Sequence, residues 1–277
     1  MTFVMSSSLS ILFAASSGLP LCLASVCWCF KTTVARNRDW KSELSLFEAA
    51  YTVEPDSVKV LNNLAMHLMN QDGKARERAA KMLQRSLELL PRYASGHFNL
   101  GLVYMLQNHR TRAIRHLRAS IAVENDGSSG KVYGYLGREL VQEYNAVRDT
   151  AGDASADTAG KTCEAFSTTG TKVMLYEAID HLHASGQRGC TLPMVTFELG
   201  CAYSAAMQYN WAIELYEDAL VRNAVAGMAP GERIQQESLL NMYALTLKDV
   251  GRLPEASMRY EDALATAPTM FELLANA

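Results

Sequence analysis

Two histidines and two carboxylates in the second half of the chain could in principle bind a metal ion or transfer protons. His181 and His183 fall on a predicted helix, with Glu177 and Asp180 close by. Residues two positions apart on an α-helix point in different directions, so the two imidazoles do not converge on one ion. We interpret both carboxylates as solvated helix surface, and the sequence predicts no metal site here.

Several common catalytic motifs are absent from the sequence. It contains no HExxH, no GxxxxGK[ST] and no GxSxG, and its six cysteines show neither CxxC nor CxxH spacing. His97 occupies a large-residue position of a predicted helix and is interpreted as a packing residue. The net charge of −3 gives no indication of the basic surface typical of nucleic-acid binding, and we predict no nucleic-acid partner. We therefore predict no catalytic residue, no metal and no cofactor in this chain by itself.

The candidate functional residues are instead amides and apolar side chains on one face of the predicted helices, where they would form a groove for a protein or peptide partner. They are Asn62, Asn63, Met66, Met69, Phe98, Asn99, Leu102, Met105, Phe197, Cys201, Asn241 and Leu245. Asn63 and Asn99 occupy the same position of successive repeats, and an amide can both donate to and accept from a ligand backbone. This resembles the asparagine ladder of the O-GlcNAc transferase repeats. In the alternative interpretation, the two amides only satisfy neighbouring helices.

An internal repeat with a period of about 34 residues positions this groove. In residues 94–125, Leu100-Gly101 and Tyr104 are followed by Ala113 and Leu117, an order of large and small residues that recurs at three other places. Small residues lie where two paired helices cross closely, and large ones fill the gaps between neighbouring pairs. The sequence predicts an all-α fold, a tetratricopeptide-repeat solenoid of helical hairpins. Four repeats in register argue against the alternative, an ordinary helical bundle.

The predicted organisation has four parts. Residues 1–31 form a transmembrane helix, and residues 32–148 hold repeats 1–3 and the first helix of an irregular repeat. Residues 149–171, rich in Ala, Thr, Gly, Ser and Asp, form a disordered loop, because they bury too little apolar surface to offset the entropy lost on ordering. Residues 172–277 hold the remaining repeats and a terminal helix.

The transmembrane helix is predicted from an uncharged segment at the start of the chain. Residues 2–30 carry no charged side chain and include about 20 mostly apolar residues, the length that a bilayer core requires. A cleaved signal peptide is the alternative, but the segment lacks the basic region that precedes one. Lys31, Arg36 and Arg38 follow directly, and by the positive-inside rule they favour a cytosolic location for the repeats.

One segment resembles a known family more specifically than the repeats do. Residues 33–47, TVARNRDWKSELSLF, together with residues 90–95 and Asn99-Leu100-Gly101, resemble the transmembrane and tetratricopeptide repeat-containing proteins, which are endoplasmic-reticulum protein O-mannosyltransferases. The resemblance implies repeats in the lumen that recruit protein acceptors for a membrane-embedded enzyme using dolichyl-phosphate mannose. The family's catalytic residues have no counterpart here.

Three hypotheses about function follow. The first is a membrane-anchored repeat protein of the endoplasmic reticulum that binds polypeptides, with lumenal repeats. The second is part of an active O-mannosyltransferase whose catalytic membrane portion is absent from this chain. The third is a cytosol-facing adaptor for organelle assembly, favoured by the basic residues after the apolar segment.

Overall fold

The structure is a computed structural model that describes residues 23–34, 36–37, 39–124, 129–155, 164–225 and 233–266. All regular secondary structure in these ranges is α-helical. The helices are α1 (residues 23–34), α2 (Glu43–Val53), α3 (Val58–Leu68), α4 (Gly73–Leu89), α5 (Ala94–Leu106), α6 (Arg110–Glu124), α7 (Gly130–Ser155), α8 (Glu164–Gln187), α9 (Pro193–Ala205), α10 (Tyr209–Asn223), α11 (Gln236–Asp249) and α12 (Leu253–Thr266). They form two compact units, one ending at Pro91 and one beginning at Arg92.

The first unit contains α1, α2 and the hairpin of α3 and α4. Side chains cap the starts of two helices: Ser42 and Ser45 cap α2 reciprocally, and Asp72 accepts a hydrogen bond of 2.7 Å from the Ala75 N–H at the start of α4. Such caps satisfy backbone donors that have no partner within the helix. The hairpin buries one face of each helix, formed by Leu61, Leu64, Ala65, Leu68, Ala79, Met82 and Leu83.

Most of the predicted transmembrane segment, residues 1–22, lies outside the described residues. Its last part belongs to α1, where the side chains of Trp28 and Phe30 are 68% and 70% exposed. Among the described helices, none combines the length and the apolar character needed to span a bilayer.

In its described residues the second unit contains four helical hairpins, α5–α6, α7–α8, α9–α10 and α11–α12. In three of them, a glycine of the first helix lies where the second helix crosses most closely. A β-carbon would lie 3.1 Å from Leu117 at Gly101, 2.5 Å from Leu182 at Gly137 and 2.8 Å from Tyr216 at Gly200. The helical-repeat fold predicted from the large-and-small pattern is therefore confirmed, with small residues at the crossings.

The irregular hairpin is more helical than its sequence suggests. Helix α7 continues to Ser155 and α8 begins at Glu164, so both helices extend into residues 149–171, the segment predicted to be a disordered loop. Once a helix is nucleated by packing, each further turn costs little free energy. Residues 156–163, and the predicted terminal helix after Pro268, lie outside the described residues.

Three hairpin turns use a residue with positive φ at the same position, two residues after the first helix ends. These are Asn108 with φ 58°, Met207 with φ 60° and Gly251 with φ 84°. Glycine adopts this conformation freely, asparagine tolerates it, and other residues are strained by about 1–2 kcal/mol. Met207 is 76% exposed, so packing does not explain its presence in the turn.

Replacing Met207 with glycine is therefore expected to stabilise the protein by about 1 kcal/mol, and Gly251→Ala to destabilise it by a similar amount. Urea unfolding of the variants measures both changes. Asn108→Gly is the matched control and should change the free energy of unfolding by less than either. A loss of stability in Met207→Gly would contradict the explanation.

Candidate polypeptide-binding face

The four predicted groove residues of the first unit differ in accessibility. Asn62 is only 5% exposed and is engaged by another group, so its amide belongs to the hairpin interior. Met66 is 43% exposed, whereas Asn63 and Met69 are half-buried. Met66 on α3 is therefore the predicted residue of this unit most available to a partner.

In the second unit, the predicted residues of α5 form a partly apolar surface. Phe98 and Met105 pack against the core, and the Phe98 ring centroid lies 5.9 Å from that of Tyr135 on α7. Asn99 is 4% exposed and has interaction partners of its own. Leu102 is half-buried. Because Asn63 and Asn99 belong to different units, the asparagine ladder stays a prediction.

The remaining predicted residues lie on α9 and α11. Phe197 packs beside Tyr216, with ring centroids 6.1 Å apart, and Cys201 contacts both core clusters of this unit. Burial raises the pKa of the Cys201 thiol, which makes it a packing residue rather than a nucleophile. Asn241 is half-buried, and Leu245 is 38% exposed.

Three residues at equivalent repeat positions were missed by the sequence prediction. Tyr135 and Glu198 directly precede a Leu-Gly pair, as Asn99 does, and Arg138 directly follows such a pair, as Leu102 does. Applying the register of α5 to α7 and α9 would have identified them. We call the set Phe98, Asn99, Leu102, Tyr135, Arg138, Glu198, Cys201, Asn241 and Leu245 the first-helix face, because all lie on the first helix of a hairpin.

A buried carboxylate lies beside two arginines next to this face. Glu139 on α7 is 4% exposed, and its two oxygens lie 3.8 Å from the Nε atoms of Arg110 and Arg138. Neither Nε has a hydrogen-bond partner among the described residues. Burial raises the pKa of Glu139, and the two guanidinium groups oppose that rise. The polar groups of this cluster are close together but incompletely hydrogen-bonded.

Glu198 on α9 is the least compensated charge of the first-helix face. Its side chain is 9% exposed, and none of the described residues donates a hydrogen bond to it. Burial raises its pKa to about 7; Arg138 opposes the rise and the negative charge of Glu139 adds to it. Near neutral pH, Glu198 therefore exists both as a carboxylic acid that donates a hydrogen bond and as a carboxylate that accepts one.

The histidines singled out in the sequence contact different partners. The Nε2 atom of His181 lies 3.6 Å from Glu177, whereas Nε2 of His183 lies 2.6 Å from the Tyr203 hydroxyl. His97 lies between α5 and α6, with its Nδ1 atom 3.1 Å from that of His116. Burial, and the charges of His97 and Arg115, lower the pKa of His116 to about 4, so the His116 imidazole is neutral at physiological pH.

Antiparallel helical hairpins with small residues at their crossings define the tetratricopeptide-repeat fold, and this chain has that fold. Solved structures agree. The TPR protein YrrB, described as having an unusual peptide-binding site, is 15% identical with a TM-score of 0.55, over 83% of this chain and 97% of its own. The APC/C hetero-tetramer Cut9-Hcn1 gives a TM-score of 0.58 at 12% identity, over 83% of this chain and 38% of that one.

Sequence comparison finds a local similarity to a larger protein. Protein O-mannosyl-transferase TMTC3 of Homo sapiens is 35% identical over 81 residues, and its counterpart in Mus musculus is 33% identical over the same length. The aligned segment covers 29% of this chain and 9% of each relative. No protein-family model matches the chain.

Proposed function

We propose that this chain is a membrane-anchored tetratricopeptide-repeat protein that binds a polypeptide partner on its first-helix face. The observation that carries the proposal is the composition of that face. Half-buried apolar side chains such as Leu102 and Tyr135 share this face with the buried Glu198 and with Arg138, whose buried Nε atom has no hydrogen-bond partner among the described residues. A peptide backbone supplies both donors and acceptors for such groups.

The location proposed for the protein is the endoplasmic-reticulum membrane, with the repeats in the lumen. Two observations support it: the resemblance of residues 33–47 to the transmembrane and tetratricopeptide repeat-containing proteins, and the local similarity to TMTC3. The uncharged residues 2–30 would supply the membrane anchor. In this setting the repeats would recruit protein acceptors.

The similarity to TMTC3 also favours a second candidate, in which the chain works as part of a dolichyl-phosphate-mannose-dependent protein O-mannosyltransferase. The chain would then contribute acceptor binding, and the transfer of mannose would take place in a catalytic membrane portion absent from this sequence. Both candidates require the same binding face. They differ in whether captured polypeptides become mannosylated.

Site-specific photo-crosslinking in microsomes tests the proposal. A photoreactive amino acid at Leu102, on the first-helix face, is expected to crosslink to polypeptides, whereas the same group at the exposed Arg115 of α6 should not. The crosslinked products should resist protease until detergent is added. Leu102→Glu should weaken capture about tenfold, because it places a charge in an apolar contact.

The possible outcomes separate the parts of the proposal. Equal crosslinking from positions 102 and 115 would contradict a specific binding face. Crosslinking from position 102 but not from position 115 would support the binding face. If those crosslinked products were digested by protease without detergent, the lumenal location would be overturned. Mannose on the captured polypeptides would favour the enzyme candidate.

A further inference from the structure

A pocket lies in the second unit at the junction of α8, α9 and α10, and none of its lining residues belongs to the set that defines the first-helix face. It has a volume of about 400 Å³ and is lined by His183, Leu199, Tyr203, Trp211, Glu214, Leu215 and Asp218. We call it the Trp211 pocket. Its lining combines aromatic rings with two carboxylates, which is a chemical composition different from that of the first-helix face.

The base of the Trp211 pocket is held in place by packing and a hydrogen bond. The Tyr203 hydroxyl lies 2.6 Å from Nε2 of His183, and the two rings meet edge to face with centroids 5.8 Å apart. Leu199 is 7% exposed, and Leu215 packs against the core. The site is therefore formed before any ligand arrives, as small binding pockets usually are.

Trp211 supplies an accessible aromatic surface at this pocket. Its side chain is 61% exposed although it lies near the start of α10, where the neighbouring Ala212 is fully buried. A tryptophan ring has the most negative π-face of the aromatic side chains and attracts a cation placed over it. A ligand that covers this ring with a positive group would also remove apolar surface from water.

The charges around the pocket are mainly negative. Asp218 is paired with Arg222 at 2.6 Å, whereas Glu214 is exposed and has no ion pair among the described residues. Asp180 adds a further negative charge near the rim, close enough to contribute, after burial, to the raised pKa of Tyr203. The Glu214 carboxylate is therefore available to pair with a cation of a ligand.

We propose that the Trp211 pocket binds an arginine side chain of a partner polypeptide. A guanidinium group is planar, stacks on an aromatic face and can donate two parallel hydrogen bonds to one carboxylate. In the Trp211 pocket, the guanidinium group would stack on the Trp211 ring and donate hydrogen bonds to the Glu214 carboxylate. The compact ammonium of lysine would gain the charge attraction without the stacking, and neutral side chains would gain neither.

The test is an NMR titration of the complete chain with a short Gly/Ser peptide, blocked at both ends, that carries one central arginine. The indole N–H resonance of Trp211, assigned with Trp211→Phe, is expected to shift with a Kd on the order of 1 mM. Replacing the arginine by its neutral analogue citrulline should weaken binding at least about tenfold, and a lysine peptide should bind more weakly than the arginine peptide.

Matched variants show whether the named residues are responsible. Glu214→Gln should weaken binding of the arginine peptide about fivefold or more, while Glu261→Gln, at an exposed carboxylate on α12, should leave it unchanged. The proposal is overturned if the indole resonance does not shift, if citrulline or lysine peptides bind as tightly as arginine, or if Glu214→Gln has no effect. None of these outcomes depends on the first-helix face.

Discussion

Gly137→Ala is expected to lower the free energy of unfolding of the second unit by about 2–3 kcal/mol, the upper range for overpacking a core. The new β-carbon would lie 2.5 Å from Cγ of Leu182, which is 1% exposed, and 3.2 Å from the Ala178 carbonyl oxygen. The contact is relieved only if the buried Leu182 side chain or α8 itself shifts. Thermal unfolding should show a decrease in Tm of roughly 5–10 °C.

Two further variants identify the cause of that loss. Gly186→Ala, on α8 with no atom within 4 Å of the added carbon, should be neutral or slightly stabilising. Leu182→Ala alone should cost about 2–5 kcal/mol, but in combination with Gly137→Ala the two losses should be less than additive, because the smaller side chain makes room for the new methyl group. Strict additivity would contradict the crossing as the cause.

Glu198→Gln is expected to stabilise the protein at alkaline pH by about 2–3 kcal/mol and to have little effect at pH 5. Burial raises the pKa of Glu198 from its ordinary 4.5 to about 7 in the folded protein. The folded state therefore binds more protons than the unfolded state between these values, and stability falls as pH rises from 4.5 to 7. Glutamine has the shape of the protonated acid and does not ionise, so the variant does not lose stability as the pH rises.

Urea unfolding at pH 5 and pH 8 measures the difference between the wild type and Glu198→Gln. Glu261→Gln, at an exposed carboxylate of the same unit, is the control and should change stability by less than about 0.5 kcal/mol at both pH values. An equal effect of Glu198→Gln at the two pH values would show that its carboxyl group ionises normally. The same variant should also reduce the pH dependence of polypeptide binding to the first-helix face.

The repeat architecture could be predicted from the sequence because it depends on side-chain size at fixed spacing. Gly101 and Gly200 each lie beside a large residue of the paired helix, as the pattern of small and large residues requires. Leu100 and Leu117, predicted to fill gaps, are at most 1% exposed. The same spacing of small and large residues recurs from repeat to repeat. Once one repeat is recognised, the others can be aligned with it.

The chemistry of the candidate site was less predictable. Asn62 and Asn99 carry side chains suited to a groove, but both are at least 95% buried and are engaged by other groups. Glu198 was not among the predicted residues, and its burial depends on the packing of α9 against neighbouring helices. Accessibility depends on which helices meet, and helical register does not supply that information.

The sequence by itself determined the all-α hairpin fold, the positions of the helix crossings and the absence of several common catalytic motifs, because each of these is a property of residue types at set spacings. Only the tertiary structure decided which polar side chains are buried without partners and which residues meet in the Trp211 pocket. The reason is that burial and charge proximity arise between residues far apart in the chain: Glu198 is influenced by Arg138 and Glu139 across a helix boundary, and His183 meets Tyr203 across another.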